Sequence, residues 1–514
     1  MITVSGSSVN VATSTTKDSL HAITARLAAK DNSLWGADAE AEAAVRLNWI
    51  DLPTSSRALL PELDALTAWA RSKEVKTIVL AGMGGSSLAP EVIAKTYNKE
   101  LTVLDTTDPE QIKAAIPTDL AHSLIVVGSK SGSTIETASH KAFFTKLFQD
   151  AGLNPADHFV IVTDPGSPLD KAARTDKLRV INADPNVGGR YSALSAFGLV
   201  PAALIGVDVS IMIDDAKAAA ETFLLPHSPA VEIAAVIFDA AEQNVAFFDS
   251  GSDLPGISDW IEQLIAESTG KNETGRLPIA IESADAATAG PGLRIGFHAA
   301  AKADLIVTGS LGEQFILWEW VTALLGHSLK VDPFNQPNVT EAKERTGALL
   351  STWSDGKVPK FKAAYENELL SVYSSSNAHS LGGQLSDFLK NEGHYFAIMA
   401  YLARGIDSGA ASLREIVAIK TGRGTTFGWG PRFLHSTGQF HKGGQHNGVF
   451  LQITGENSSD LNIPNQSFSF HTLLMAQALG DGQALADRKF PLMRVHLKDR
   501  KKGLALLLEE LKKI

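Results

Sequence analysis

Residues 126–137 run Val126-Val127-Gly128-Ser129-Lys130-Ser131-Gly132-Ser133-Thr134-Ile135-Glu136-Thr137, VVGSKSGSTIET, an apolar run that gives way at once to glycines and hydroxyls. The apolar half predicts the end of a buried strand, and the polar half a tight loop that opens a helix. At such a junction, amides and hydroxyls converge near the positive end of the helix dipole and make a cradle for an anion. A second stretch of the same kind, Gly82-Met83-Gly84-Gly85-Ser86-Ser87, follows the run TIVLA and also precedes a helical segment. Two such loops at adjacent strand ends would lie side by side and suit a phosphate monoester. Neither has the lysine and hydroxyl spacing of a Walker loop, and GMGGSS lacks the third glycine of the dinucleotide fingerprint. Taken singly, either loop also reads as no more than a turn and a helix cap.

Working outward, short apolar runs alternate with helix-like segments from Thr77 onward: IVLAG, LTVLD, LIVVG, FVIVTD and LRVIN. That rhythm predicts a parallel sheet built from βαβ units. It weakens near VDVSIMIDDAK, passes the breakers Pro226 and Pro229, and resumes with NVAFFD, LPIAI, LRIGF and DLIVTG, predicting a second α/β lobe. Before it, from about Lys17 to Leu66, apolar residues such as Leu20, Ile23 and Leu27 fall at helical spacing, so a helical lead-in without a strand is expected. After Lys343 the strand candidates are REIVAIK, GVFLQIT and RVHLK, closed by the amphipathic helix KKGLALLLEELKK. The expected division is a helical segment over 1–60, α/β domains over 61–215 and 216–350, and a C-terminal α/β extension over 351–514.

A chain of 514 residues is long enough for two to four domains, and 44% apolar with 20% charged residues is a globular composition. The net charge of −11 argues against nucleic acid as a partner, because phosphate neutralisation needs a basic face. No window approaches 18 uninterrupted apolar residues and the first residues lack a secretory signal, so a cytoplasmic protein without a membrane partner is expected. Cysteine is absent, which leaves the chemistry to oxygen and nitrogen groups. No ligand cluster such as H-E-x-x-H occurs, so neither metal nor cofactor is expected.

The segment SKSGSTIET resembles the phosphate loop of sugar-isomerase (SIS) domains, and specifically that of the phosphoglucose isomerase family. Three further stretches are similar to that family's signatures and follow its order: Asn186-Val187-Gly188-Gly189-Arg190-Tyr191-Ser192, QLIAESTGK over residues 263–271, and DPFNQPNVTEAK over residues 332–343. The resemblance implies two SIS-type three-layer αβα sandwich domains with parallel sheets, and isomerisation of glucose 6-phosphate to fructose 6-phosphate through an enediol. It also implies a homodimer with the site near the subunit boundary. Residues carried over as substrate ligands are Ser86, Ser129, Ser131 and Thr134, the amides of Gly85 and Lys130, and the side chains of Gln263 and Gln336.

Moving a carbonyl between two sugar carbons needs a base, a route for the returning proton and stabilisation of the enediolate. The resemblance assigns the base to Glu267, which apolar Leu264 and Ile265 would desolvate, although from its neighbours alone a surface glutamate is the favoured reading. Arg190 follows two glycines and could stabilise negative oxygen with its fixed charge, where a structural ion pair is the competing reading. Lys343 lies seven residues after Gln336, two turns if the segment beyond Pro337 is helical, and would assist ring opening or charge balance. The family's ring-opening histidine sits in a G-T-x-G-Q-H segment that this chain lacks between Lys271 and Asp332. Downstream, WGPRFLHSTGQFHKGGQH resembles that piece, which makes the chain similar to the isomerase half of bifunctional transaldolase and phosphoglucose isomerase proteins. His441 is the preferred candidate, with His435 and His446 as alternatives. A transaldolase barrel of about 250 residues cannot fit ahead of the first loop. The rival readings are isomerisation of another hexose phosphate, such as mannose 6-phosphate, and a silent sugar-phosphate sensor.

Overall fold

A computed structural model describes residues 1–286, 292–353 and 358–514, and among them it places three sheets. The chain opens on a short strand, β1 (Thr3–Ser5), and a set of helices that runs to Ser72. Next come β2 (Thr77–Gly82), β3 (Thr102–Leu104), β4 (Ser123–Gly128), β5 (Phe159–Thr163) and β6 (Arg179–Asn182). They form an all-parallel sheet in the order β3-β2-β4-β5-β6. Leu80, Leu124, Val126 and Val160 pack into one core, and Val79, Ile125, Val127 and Ile161 into another on the opposite face. Burial on both faces is why these strands read as unbroken apolar runs rather than alternating ones.

The second sheet contains β7 (Asn244–Phe248), β8 (Leu277–Ala280), β9 (Leu293–Gly296) and β10 (Leu305–Thr308), in the order β1-β10-β9-β7-β8. Its four later strands are parallel, and β1 adds to the β10 edge in antiparallel fashion, with Val4 opposite Val307. The amino-terminal segment is therefore not purely helical. A three-residue strand carries too short a pattern to show a period of two, and its partner lies far along the chain.

The third sheet is mixed. Strands β11 (Tyr365–Glu366), β12 (Leu370–Tyr373), β13 (Tyr395–Ala400), β14 (Gly424–Trp429), β15 (Gly448–Gly455) and β16 (Leu492–Leu497) take the order β11-β12-β16-β15-β13-β14. The first two pairings are antiparallel and the rest parallel. The stretch REIVAIK, expected as a strand, is helical, within Leu413–Thr421. Leu413, Arg414, Val417 and Ala418 are buried while Ile419 is 62% exposed, a 3.6-residue period that a strand could not bury. Gly422, at φ +66°, ends that helix.

This third part spans the other two. Phe470 and Leu473 join the first sheet's core beside Val127 and Ile161, whereas Tyr395, Ala397 and Phe450 join Ala246, Phe248 and Ile279 of the second. Loops from all three sheets are thereby held against one another. Among the described residues, no helix is long and apolar enough to cross a membrane.

Candidate active site

Strands β2 and β4 are neighbours with Gly82 opposite Gly128, so the two glycine- and serine-rich loops leave the sheet together. Ser86 lies over Gly128, where an added Cβ would come 3.1 Å from the Ser86 Cβ. Gly84 has φ +56°, the left-handed region that favours glycine. A methyl at Gly85 would approach the Gly189 carbonyl oxygen to 1.8 Å, so the first loop packs backbone on backbone against the Gly189–Arg190 peptide. In the second loop the Gly132 amide donates to Ser129 Oγ at 3.1 Å, and Thr134 stands at the N-cap position of the helix Ile135–Asp150 without a side-chain bond to its amides. The Ser131 and Ser133 hydroxyls bond each other at 2.7 Å. Lys130 turns its ammonium to Asp164 at 2.6 Å and to the Pro185 carbonyl at 2.7 Å, leaving only its amide for the loop.

The helix Ile257–Thr269 carries Gln263, Glu267 and Ser268, all buried. Gln263 Nε2 donates to Glu267 Oε2 at 3.1 Å, the i to i+4 spacing that puts both on one helical face. The Arg190 guanidinium lies 3.4 Å from Glu267 Oε1 and is 4% exposed. Four other groups fix it: Nε donates to Ser268 Oγ at 2.7 Å, Nη1 to Gln336 Oε1 at 2.9 Å, and Nη2 to the carbonyls of Pro333 and Asn335 at 2.6 and 2.9 Å. A side chain with so many partners has no rotamer freedom left, and it ties the GGR segment to the DPFNQ segment. It offers Glu267 a fixed charge rather than a spare donor.

His435 comes from the third part of the chain. Its carbonyl accepts from Gln263 Nε2 at 2.8 Å, and its Cβ lies 3.2 Å from where a methyl on Gly84 would sit. Its ring Nε2 is 3.1 Å from Glu136 Oε1, which also accepts from Gln477 Nε2 at 2.7 Å. Burial pushes the Glu136 carboxyl up, but the charge and hydrogen bond of His435, a backbone amide and the charge of Lys343 outweigh it, bringing it down to about 2. Glu136, Lys343, His435 and Gln477 line one cavity of about 150 Å³ with Ser133 at its rim. Lys343 reaches it because the segment from Pro337 to Thr352 is a helix that starts at a proline.

The other two histidines lie elsewhere. His441 is 3% exposed on the helix Gly438–Gly443, among the rings of Tyr395, Phe433 and Phe450 at 5.3–6.2 Å. Neither of its ring nitrogens has a hydrogen-bond partner among the described residues, and burial, then the neighbouring Lys442 charge, holds its imidazole well below its ordinary value. It is a packing residue in this geometry, so the preference for His441 over His435 is reversed. His446 is about half exposed and nearest Glu273, at 4.0 Å. Gln336 joins the cluster through Arg190 rather than beside Lys343.

Glu136 and Gln477 belong to the cluster and were not singled out from sequence. Glu136 sits within the quoted SKSGSTIET, two residues past Thr134, and its carboxylate in a buried first helical turn was the available signal. Gln477, on the helix Phe470–Asp487, carries no local signal at all.

Two parallel α/β sheets in succession, with glycine-rich loops meeting at the ends of the first, define the class as a sugar-isomerase type of fold. Residues 64–276 match the phosphoglucose isomerase family model. The chain is 31% identical over 236 residues to a probable glucose-6-phosphate isomerase of Haloarcula marismortui, covering 44% of this chain and 54% of that one. With the glucose-6-phosphate isomerase of Trichormus variabilis it shares 28% identity over 371 residues, 67% and 66% of the two chains. The chain spans about half the length of the first curated relatives that it matches. Among solved structures, a glucose-6-phosphate isomerase from Chlamydia trachomatis superposes with a TM-score of 0.53 at 19% identity, over 61% of this chain and 76% of that one. A hypothetical protein from Thermus thermophilus gives 0.58 at 24%, over 68% and 100%. At these identities the two structures speak to the fold alone.

Proposed function

We propose that the chain interconverts glucose 6-phosphate and fructose 6-phosphate. The observation that carries the reading is the placement of Glu267 beside Arg190, joined through Gln263 to the Gly84 loop. A sugar phosphate held by the Ser86 and Ser129 to Thr134 loops would then have its first two carbons within reach of the carboxylate.

In this reading His435, with Glu136 behind it, exchanges the ring-oxygen proton and opens the sugar. Glu136 positions the imidazole and balances its charge. Glu267 takes the proton from carbon 2 of the open aldose and returns it to carbon 1, while the hydroxyl proton passes from oxygen 2 to oxygen 1, so that the carbonyl moves to carbon 2. The Arg190 charge favours the enediolate between these steps, from a guanidinium that is itself buried. Lys343 neutralises the anion at the ring end. Ser131 and Thr134, together with the amides of Gly85 and Lys130, anchor the phosphate.

Every group named comes from one chain; a homodimer is proposed by the family resemblance and is not needed to bring these groups together. A cytoplasmic location is proposed on the same footing. The test is conversion of fructose 6-phosphate by the purified chain in deuterium oxide. Turnover with deuterium appearing at carbon 2 of the glucose 6-phosphate is expected. Binding without turnover or exchange would point instead to a sensor.

A further inference from the structure

Alongside the Glu267 helix lies a second cleft of about 540 Å³, a volume suited to a small organic ligand. Four cationic side chains reach it, and each is already matched. Arg432 contacts Glu91 and Asp105, both at 2.7 Å; Arg404 contacts Glu91 at 2.8 Å, and Lys95 the same carboxylate at 3.0 Å. Arg414 contacts Glu282 at 2.6 Å. An anion entering here would have to compete with those carboxylates.

The acids are not matched in the same way. Asp249 accepts the amides of Gly256 and Ser258, but Asp259 and Glu262, one turn apart on the helix, have no hydrogen bond or ion pair among the described residues. Asp259 is solvent-exposed, whereas Glu262 is only 7% exposed and lines the cleft. The Glu262 carboxyl opens onto the cleft rather than being sealed in the core, so a ligand there can reach it. Burial, then the nearby Asp259, pushes the Glu262 carboxyl well up against the opposing charge of Arg432, and a further cation beside it would favour the ionised form. The rings of Phe427 and Trp429, 5.0 Å apart and edge-on, also line the cleft and are half-buried. Aromatic faces with unmatched carboxylates bind an organic cation better than a bare metal ion. Among the described residues no group of three or more acidic or histidine side chains is placed to hold a metal.

We propose that this cleft binds a small organic cation, an ammonium or guanidinium on an aromatic or alkyl body, with Asp259 and Glu262 taking the charge and Phe427 and Trp429 the body. The site is independent of the isomerase reading. Arg432, Ser436 and Thr437, which flank the segment carrying His435, line it as well.

Titration calorimetry of the full chain with benzylammonium chloride, using benzyl alcohol and benzoate as the neutral and anionic isosteres, tests this. One saturable benzylammonium site per chain is expected, with both controls binding at least about tenfold more weakly. Glu262→Gln is expected to weaken benzylammonium by about 10- to 100-fold. Asp259→Asn is expected to weaken it in the same direction. No saturable binding, equal affinity for benzyl alcohol, or unchanged affinity in both variants would overturn the proposal.

Discussion

Replacing Glu267 with glutamine is the sharpest perturbation of the proposed chemistry, because it keeps the shape of the side chain and removes the base. Gln263 Nε2 can still donate to the new amide oxygen at the site of the present 3.1 Å bond. The lost contact is the one to the Arg190 guanidinium, 3.4 Å away. At an effective dielectric of about 20 that pair has about 5 kcal/mol of raw Coulomb attraction, most of it offset by the desolvation both charges have undergone. Arg190 retains its four hydrogen-bond acceptors, so the net destabilisation should be about 1–3 kcal/mol, and the variant should fold. Catalysis should suffer far more. Loss of a positioned general base costs about 10² to 10⁴ in kcat, or about 3–5 kcal/mol of barrier. The assay is fructose 6-phosphate conversion coupled to a dehydrogenase, with deuterium wash-in followed in parallel and a thermal melt on the same sample. A folded variant that turns over within tenfold of the parent, or still exchanges the carbon-bound proton, would refute the assignment of Glu267 as base.

His435→Asn should lower conversion of the cyclic sugar by about 100-fold, whereas His441→Phe should leave kcat within a few fold and hold or raise the melting temperature. The second outcome follows because His441 buries two unpartnered nitrogens among three aromatic rings, and steady-state rates with melting curves distinguish the pair. Arg190→Lys cannot span Ser268, Gln336 and the Pro333 carbonyl, so chemical denaturation should show a loss of about 2–4 kcal/mol along with reduced turnover. The Glu136 carboxyl, brought from 4.5 to about 2 on folding, contributes stability that is complete above about pH 5 and is lost as pH falls toward 2. The shift corresponds to about 3 kcal/mol, and Glu136→Gln should remove that part of the acid sensitivity in urea titrations at pH 6 and pH 3. Gly85→Ala should disrupt the contact with the Gly189 carbonyl, lowering both activity and melting temperature.

Much of the fold could be read without coordinates because its signals are local. The strands β2 and β4 to β6 are apolar runs of four to six residues ending in small or polar groups, and each loop's glycine and serine content states its own backbone requirement. Where the signal was short or ambiguous, it failed. β1 has three residues, and REIVAIK has β-branched residues but a helical burial period. The candidate base and its arginine were legible only through the order of motifs, since nothing in QLIAESTGK by itself distinguishes Glu267 from a surface glutamate.

From sequence alone came the two glycine- and serine-rich loops and the parallel sheet beneath them, which rest on residues near in the chain, and, through the order of the motifs, the candidates Glu267, Arg190 and Lys343. Which histidine faces the site was decided by tertiary structure, as was the recruitment of Glu136 and Gln477, because those contacts join residues 299 and 341 positions apart. His435 and His441 lie in one glycine-rich segment, a short distance apart in the chain. The third sheet's packing turns one toward a carboxylate and the other into an aromatic core, and pairing at that range is set by the burial of whole faces rather than by any local preference.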